Sequence, residues 1–406
     1  MDAEKKQLLI AGGGIAGMAA ALGASHAGWD VRVFERAAVF SEVGAGVQLG
    51  PNVVRRLQAW GLQEGLQAVC AMPQRLRAHS ACSGRELAQT PLGASMVQRY
   101  GAAYVTIHRA DLHQLLVHAV QGREGVFINH GQPVEEILGL EGVATIRTPA
   151  YPCVEGDALL LADGVWSQLR AGVLGDTNRP RVSGHLAYRA LIPMADVPAA
   201  WRAHEVNVWL GPQLHAVHYP VRRGELLNLV VIVEGPAPED LTQWDHAANA
   251  LQLARALQGS CAALRDVVGS VEASGGQWRL WPLSDRAPLT GPQGMARGLV
   301  GLIGDAAHPM RPYLAQGAGM AIEDAAELQR ALAMADLDVS TRLRRYALNR
   351  WQRNARVQAR SIRNGEIFHA TGLMRWGRDS ALRLLGSRLM DVPWLYRGDG
   401  ACATGW

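Results

Sequence analysis

The sequence predicts an α/β chain: a Rossmann-like dinucleotide-binding domain, an antiparallel-sheet domain inserted into it, and a C-terminal helical segment. Three features carry the prediction. The chain opens with a short apolar run, a glycine turn and an Ala-rich stretch. Val182 to Glu234 reads as short strands punctuated by Gly and Pro. Buried-strand character then returns at Leu299–Gly304, ahead of further helix.

Taken in order, Gln7–Ala11 is an apolar strand, Ile15–Ala27 a helix, and Asp30–Glu35 a strand whose residues alternate apolar and polar. Pro51–Gly61 carries Pro at its start and Gly at its end, the punctuation of a helix. Ala110–Gln121 is a helix beginning after His108-Arg109. Leu76–Pro91 is strand-like, and Val206–Leu210, Leu214–Val221 and Leu226–Val233 read as a meander whose last two strands turn at Arg223-Gly224. Leu241–Leu257, Gly319–Ala335 and the Arg-rich stretch from Thr341 are helical. The pattern assigns 1–74, 102–180 and 282–360 to the dinucleotide domain, 75–101 and 181–281 to a substrate domain, and 361–406 to the C-terminal segment.

Composition narrows the class. With 49% hydrophobic and 19% charged residues the chain has ample core and is far from disorder. A net charge of +4, without a Lys/Arg tract or a recognisable module, argues against a nucleic-acid partner. The 5 cysteines are dispersed, with no CxxC pair, as expected of a reducing, cytoplasmic compartment and not of a disulfide framework or metal centre. Lys5 and Lys6 before Leu8–Ala24 resemble a secretory signal, but Gly12, Gly13, Gly14 and Gly17 suit a nucleotide turn better than a hydrophobic helix. Stable membrane association is not expected. The 12 tryptophans are expected mainly in core and interface.

The turn Gly12-Gly13-Gly14-Ile15-Ala16-Gly17 matches GxGxxG. Its first glycine permits the tight turn, its second lets backbone approach a pyrophosphate, and its third lets helix pack on strand. Phosphate would lie on the unpaired N–H groups at the helix start. Glu35 closes the next strand, roughly 20 residues on, where a carboxylate can accept both ribose hydroxyls. Two further strands end in Asp motifs: Ala162-Asp163-Gly164-Val165-Trp166-Ser167, and Gly304-Asp305-Ala306-Ala307-His308-Pro309. An Asp there can hydrogen-bond a sugar-alcohol chain, and small neighbours admit a cofactor.

These motifs, with Gly44–Asn52, His108–Leu112, His218–Arg222 and the run from Gly304 to Asp324, resemble in order the group A flavoprotein aromatic monooxygenases of the p-hydroxybenzoate hydroxylase fold. The resemblance runs nearly the whole chain and is nearest to the salicylate and 3-hydroxybenzoate hydroxylase branch. It implies bound FAD, with Gly12, Gly14, Ile15, Ala16 and Gly17 at the pyrophosphate and Glu35, beside Arg36, at the adenosine ribose. It also implies Gly46, Gln48 and Arg109 toward the cofactor, with Arg109 near the phosphate–ribityl region. Asp163 and Gly164 would belong to the motif shared by flavin and NAD(P)H, and Asp305 would hold the ribityl chain. Pro312, Gly317, Ala318, Gly319 and Met320 would lie against the flavin ring, where a helix start can stabilise negative charge. Leu161 departs from the pattern, standing where the family usually has Gly. With one glycine fingerprint, NAD(P)H is expected as a transient reductant.

The implied reaction transfers one atom of O₂, through a flavin C4a-hydroperoxide, to the ring of a small phenolic acid such as salicylate or 3-hydroxybenzoate. Alternatives are the same fold acting on a hydroxynicotinate-type heteroaromatic or a quinone-pathway intermediate, and a non-enzymatic nucleotide sensor. On Leu214–Val221 the alternation puts His215, Val217 and Tyr219 on one face and Ala216, His218 and Pro220 on the other. The spacing of His215 and Tyr219 resembles the His and Tyr of the 3-hydroxybenzoate 6-hydroxylase pocket. His215 is the candidate base and Tyr219 the candidate substrate ligand, with His218 as fallback base and Gln48 and Arg189 as further pocket residues. His308 is expected to be structural. The stretch Met374–Met390 is expected to pack its leucines on its own protein with arginines reaching outward; a homodimer contact is the alternative.

Overall fold

Gln7–Ala11 lies inside a six-stranded sheet in a computed structural model of the chain, which describes residues 5–40, 45–176, 178–241, 246–247 and 250–398. The strand order is Ala296–Arg297, Val300–Leu302, Ala158–Leu161, Gln7–Ala11, Asp30–Glu35, Val126–His130. All neighbours are parallel except the first pair. A parallel sheet covered on both faces needs continuous apolar strands, and Leu8, Leu9, Ile10, Leu159, Leu160 and Leu161 are all fully buried. Order and direction place the carboxyl ends of five strands side by side, where open α/β sheets bind ligands.

The chain divides into two compact units, Met1–Glu42 with Leu112–Arg181 and Ser284–Ile362, and Val43–Asp111 with Val182–Leu283 and Arg363–Trp406. These bounds differ from those read in the sequence. Gly46–Leu49 pairs with Val105–His108 in a separate two-stranded sheet, and the Gly46 N–H donates to Asn228 Oδ1 at 2.6 Å, so 45–111 belongs with the second unit. The segment after Ile362 joins the same unit.

In the first unit, helix Ile15–His26 packs on helix Gly317–Leu332. Behind the latter lies a buried ionic knot. His308 Nε2 is 2.5 Å from Asp324 Oδ2, Arg350 Nε donates to Asp324 Oδ1 at 2.7 Å, and Arg350 Nη1 donates to Glu323 at 3.0 Å. Burial alone would raise the Asp324 pKa, but the charges of His308 and Arg350 and the hydrogen bonds from His308 and Asn354 hold it well below the carboxylate range. The knot ties the strand-end turn at 304–308 to helix Val339–Phe368, with His308 as its link to Asp324.

In the second unit eight strands form one sheet, in which Arg181–Pro193, Leu226–Glu234, Leu214–Val221 and Glu205–Gly211 run antiparallel in succession and Glu205–Gly211 runs parallel to Arg75–Ser80. One face buries a core that includes Tyr188, Trp209, Ala216 and Val231 against helix Ala262–Ala273. The helix expected over Leu241–Leu257 is described only as Ala250–Ala256, after a two-residue strand at His246–Ala247; residues 242–245 and 248–249 lie outside the described residues. No helix among the described residues is long and apolar enough to cross a membrane.

The C-terminal helix reverses expectation. On Gly372–Leu385, Leu373, Trp376 and Leu384 are 89%, 72% and 84% exposed, whereas Arg378 is buried. Arg378 turns inward because its guanidinium meets the Ile367 and Phe368 carbonyls, the free end of the preceding helix, at 3.1 and 2.7 Å.

Candidate active site

The glycine turn follows Ala11 directly and opens helix Ile15–His26. Gly12 has φ +108°, and a Cβ there would lie 2.5 Å from the Ala162 carbonyl oxygen; one on Gly17 would lie 1.9 Å from the Gly12 oxygen. A side chain at either position breaks the turn. Gly14 differs: nothing lies within 4 Å of its missing Cβ, and its φ of −70° is ordinary. Its bareness leaves a cradle at the helix start, as close approach by a phosphate requires. His113, not singled out from the sequence, anchors the turn with Nε2 2.7 Å from the Gly13 carbonyl oxygen. Its only sequence signal is its place one helical turn after Arg109.

Glu35 ends its strand with Oε2 accepting the Gly13 N–H at 2.7 Å and Oε1 accepting the Ala37 N–H at 2.8 Å, so the acid is held against the turn. Arg36 is exposed beside it. Next along the row, Asp163 follows the strand ending at Leu161, the family departure, which is fully buried in register with Ala11 and Leu302. Burial pushes the Asp163 carboxyl up to about 6, against the hydrogen bond with Ser167 and the charge of Arg36. Asp163 Oδ1 is buried with no hydrogen-bond partner among the described residues, so it can take a donor from a bound molecule. Gly164, at φ +83°, completes its turn.

Asp305 sits in the short turn Gly304–Ala306 and is exposed. A Cβ on Gly304 would be 2.8 Å from Ala16 Cβ, which sets this turn against the first residues of the dinucleotide helix. Arg170, also missed in the sequence, braces it by donating to the Ala306 oxygen at 2.8 Å. Pro312–Leu314 forms a 3₁₀ turn, Ala315 adopts φ +51°, and Gly317, Ala318, Gly319 and Met320 open helix Gly317–Leu332. A left-handed alanine costs about 1 kcal/mol and marks a loop held in place by its surroundings. Gln358 Nε2 donates to the Pro309 oxygen and Ser361 Oγ to the Arg311 oxygen, strapping that loop to the long helix.

Ordered along one sheet edge, Asp305, Asp163, the glycine turn and Glu35 span three strand spacings, about 14 Å. That is an extended cradle for a dinucleotide, with a bare helix start at its middle. The residues fit the ADP–ribityl length of FAD.

Gly46, Gln48 and Arg109 belong to the second unit. Tyr219, 3% exposed, packs against Gly46; a Cβ there would be 2.6 Å from Tyr219 Cε2. Tyr104 donates its hydroxyl to Gln48 Oε1 at 2.5 Å, and Gln48 hydrogen-bonds Tyr219. Burial keeps the phenol of Tyr219 well above its usual pKa, so it is neutral. Arg189 stacks on Trp281 with Cζ 4.5 Å from the ring centre, and burial lowers its pKa to about 10, which leaves it charged at neutral pH. Arg189 Nε and Asn228 Nδ2 are buried donors with no acceptor among the described residues. Tyr104, Asn228 and Trp281 were not legible as site residues.

His215 shares the Tyr219 face, but four residues of strand, roughly 13 Å, separate their Cα atoms; His215 meets His369, whereas Tyr219 meets Gly46 and Gln48. His215 Nδ1 is 2.9 Å from His369 Nε2, and His369 Nδ1 is 3.2 Å from Glu234 Oε1. Burial, with His369 and His185 nearby, holds His215 well below the usual histidine pKa. The fallback His218 is corrected: it lies on the opposite face, fully buried beside Trp201 and Trp209, with its pKa pushed down to about 3.

The sequence profile of the FAD binding domain family matches residues 5–361. A 3-hydroxybenzoate 6-hydroxylase of Polaromonas naphthalenivorans is 35% identical over 96% of this chain and 95% of its own. A 3-amino-4-hydroxybenzoate 2-monooxygenase of Streptomyces platensis is 35% identical over 99% and 98%. Among solved structures, a salicylate hydroxylase substrate complex superimposes with a TM-score of 0.80 at 26% identity, covering 98% of this chain and 97% of that one.

Proposed function

This chain belongs to the group A FAD-dependent aromatic monooxygenases, and from that premise we propose that it hydroxylates a phenolic aromatic acid of the salicylate or 3-hydroxybenzoate type, using NAD(P)H and O₂. The observation that carries the acid specificity is the pair of buried donors, Arg189 Nε and Asn228 Nδ2, without acceptors on a face that also bears Tyr219. Donors left unsatisfied in this way favour an anionic, acceptor-rich ligand.

We assign the residues as follows. Gly12, Gly14, Ile15, Ala16 and Gly17 cradle the pyrophosphate, Glu35 takes the ribose hydroxyls, Asp163 and Asp305 take hydroxyls along the chain, and the Pro312–Met320 loop faces the flavin ring. Bound FAD would accept electrons from NAD(P)H and activate O₂, one atom entering the ring and the other leaving as water. The protein's own part is to hold substrate and move its proton. Arg189 binds the carboxylate, and neutral Tyr219, fixed by Gln48, orients the ring. Glu234 accepts from His369 Nδ1–H, so His369 Nε2 accepts from His215 Nδ1–H and His215 Nε2 is left as the proton acceptor. Withdrawing the phenol proton enriches the ring for attack by an electrophilic oxygen.

The heteroaromatic and quinone-pathway alternatives are not favoured, because the two relatives given above are named for hydroxybenzoate substrates. As partner for the exposed face around Trp376 and Leu384 we assign a second copy of the chain, and we place the protein in the cytoplasm, where Cys70, Cys82, Cys153 and Cys261 stay as the free thiols they are. The test is a screen of hydroxybenzoates and hydroxynicotinates for stimulated NAD(P)H oxidation with product identification. Hydroxylated benzoates are the expected products; no stimulation by any hydroxybenzoate overturns the substrate class.

A further inference from the structure

Away from Tyr219, three potential metal ligands converge at one end of the second unit's sheet. His185 on Arg181–Pro193 is the direct cross-strand partner of Glu234 on Leu226–Glu234. His369, just past the end of the long helix, stacks on His185 with ring centres 4.6 Å apart and planes 8° from parallel. One ligand atom from each of the three lies within 4.8 Å of the others, the single such group of His, Cys, Asp or Glu among the described residues.

The surroundings are those of a supported site. His369 is buried, and its second nitrogen, Nε2, is 2.9 Å from His215 Nδ1. Glu234 uses its second oxygen, Oε2, to accept from Gln213 Nε2 at 3.3 Å. Each of these two ligands is therefore oriented from behind, as metal-binding His and carboxylate groups usually are. Ligand atoms on a tetrahedral zinc stand about 3.3 Å apart, and His369 Nδ1 to Glu234 Oε1 is already 3.2 Å. Only the half-buried His185 has to swing in, and the 38% exposed Glu234 side chain opens the group to solvent.

We propose that His185, Glu234 and His369 bind one divalent ion of the zinc class, with a fourth position left to water. Two imidazoles and one carboxylate are a borderline-soft set that suits zinc rather than calcium or magnesium. Binding also has a consequence, which rests on the reading of His215 as base. A metal on His369 Nδ1 forces the proton to Nε2, which then donates to His215 Nδ1. Neutral His215 must then carry its own proton on Nε2, where it can no longer accept one. The ion would act as an inhibitor through the tautomer of a residue it does not touch.

Tag-free, FAD-loaded protein titrated with zinc against a chromophoric chelator tests the binding. The expected result is one equivalent bound, with affinity at least about tenfold lower in Glu234→Ala and in His185→Ala. His215→Ala keeps all three ligands and should still take up the single equivalent, with weaker affinity because His369 loses the partner that orients it. Both ligand variants change accessible side chains, and unchanged flavin loading and thermal unfolding without zinc would confirm that they fold. Absence of saturable binding, or equal binding by wild type and both variants, overturns the site. One zinc bound with undiminished hydroxylation upholds the site and removes His215 from the role of base.

Discussion

Tyr219 and Gly46 meet with room for a hydrogen atom and nothing larger: a carbon placed on Gly46 would be 2.6 Å from Tyr219 Cε2 and 2.7 Å from Asn228 Cγ. Gly46→Ala must therefore push the phenol ring and Asn228 together. Overpacking of this kind costs about 1–3 kcal/mol. Thermal unfolding should fall accordingly, and kcat/KM for the preferred hydroxybenzoate should drop by about tenfold or more.

Two glycines of the same turn separate folding from binding. Gly17→Ala places its methyl against the Gly12 carbonyl oxygen and should yield little folded protein. Gly14→Ala meets nothing and keeps an ordinary backbone angle, so the protein without flavin should unfold within about 0.5 kcal/mol of wild type. FAD affinity, measured by fluorescence titration, should nonetheless fall by at least about tenfold, because the methyl occupies the space of the pyrophosphate.

Arg189→Gln removes the charge while keeping a hydrogen-bonding tip. Loss of a charge-assisted contact is worth about 2–3 kcal/mol. KM for hydroxybenzoates should rise by about 30- to 100-fold, whereas a phenol lacking the carboxylate should be nearly unaffected. Equal losses on both substrates would place the guanidinium elsewhere.

The raised pKa of Asp163 has a definite sign. Its carboxyl titrates at about 6 when folded and near 3.8 when unfolded, so its stabilising contribution is whole below 3.8 and lost as pH rises through 6. Asp163→Asn should remove that dependence. Without flavin, the variant should gain roughly 2–3 kcal/mol on wild type between pH 4 and pH 7, read by denaturant unfolding.

The apolar face on Gly372–Leu385 predicts self-association. Trp376→Glu and Leu384→Glu put charge on residues that are 72% and 84% exposed, so the fold should be kept. Sedimentation should then show monomer where wild type sediments as dimer.

What could be read in advance was what is local in the chain. A glycine turn, an acid at the end of the next strand and two strand-end Asp motifs sit at short spacings, and each keeps the place the pattern gave it. What could not be read depends on partners distant in sequence. Nothing near Asp324 announces Arg350, and nothing near His215 announces His369, more than a hundred residues away. Arg378 looked like any outward-reaching arginine because its partners are carbonyls, which a sequence does not display. His218 failed as a base because strand alternation fixes that two faces differ, not which one is sealed by tryptophan.

Because Asp163 and Asp305 stand past the last paired residue of their strands and Glu35 is the last paired residue of its own, the sheet itself is held by main-chain atoms rather than by those side chains. The scaffold and its selectivity can therefore diverge separately. A lineage could trade the acid at 35 for a basic residue, and so turn toward a phosphorylated ribose, while every strand keeps its neighbour and its register.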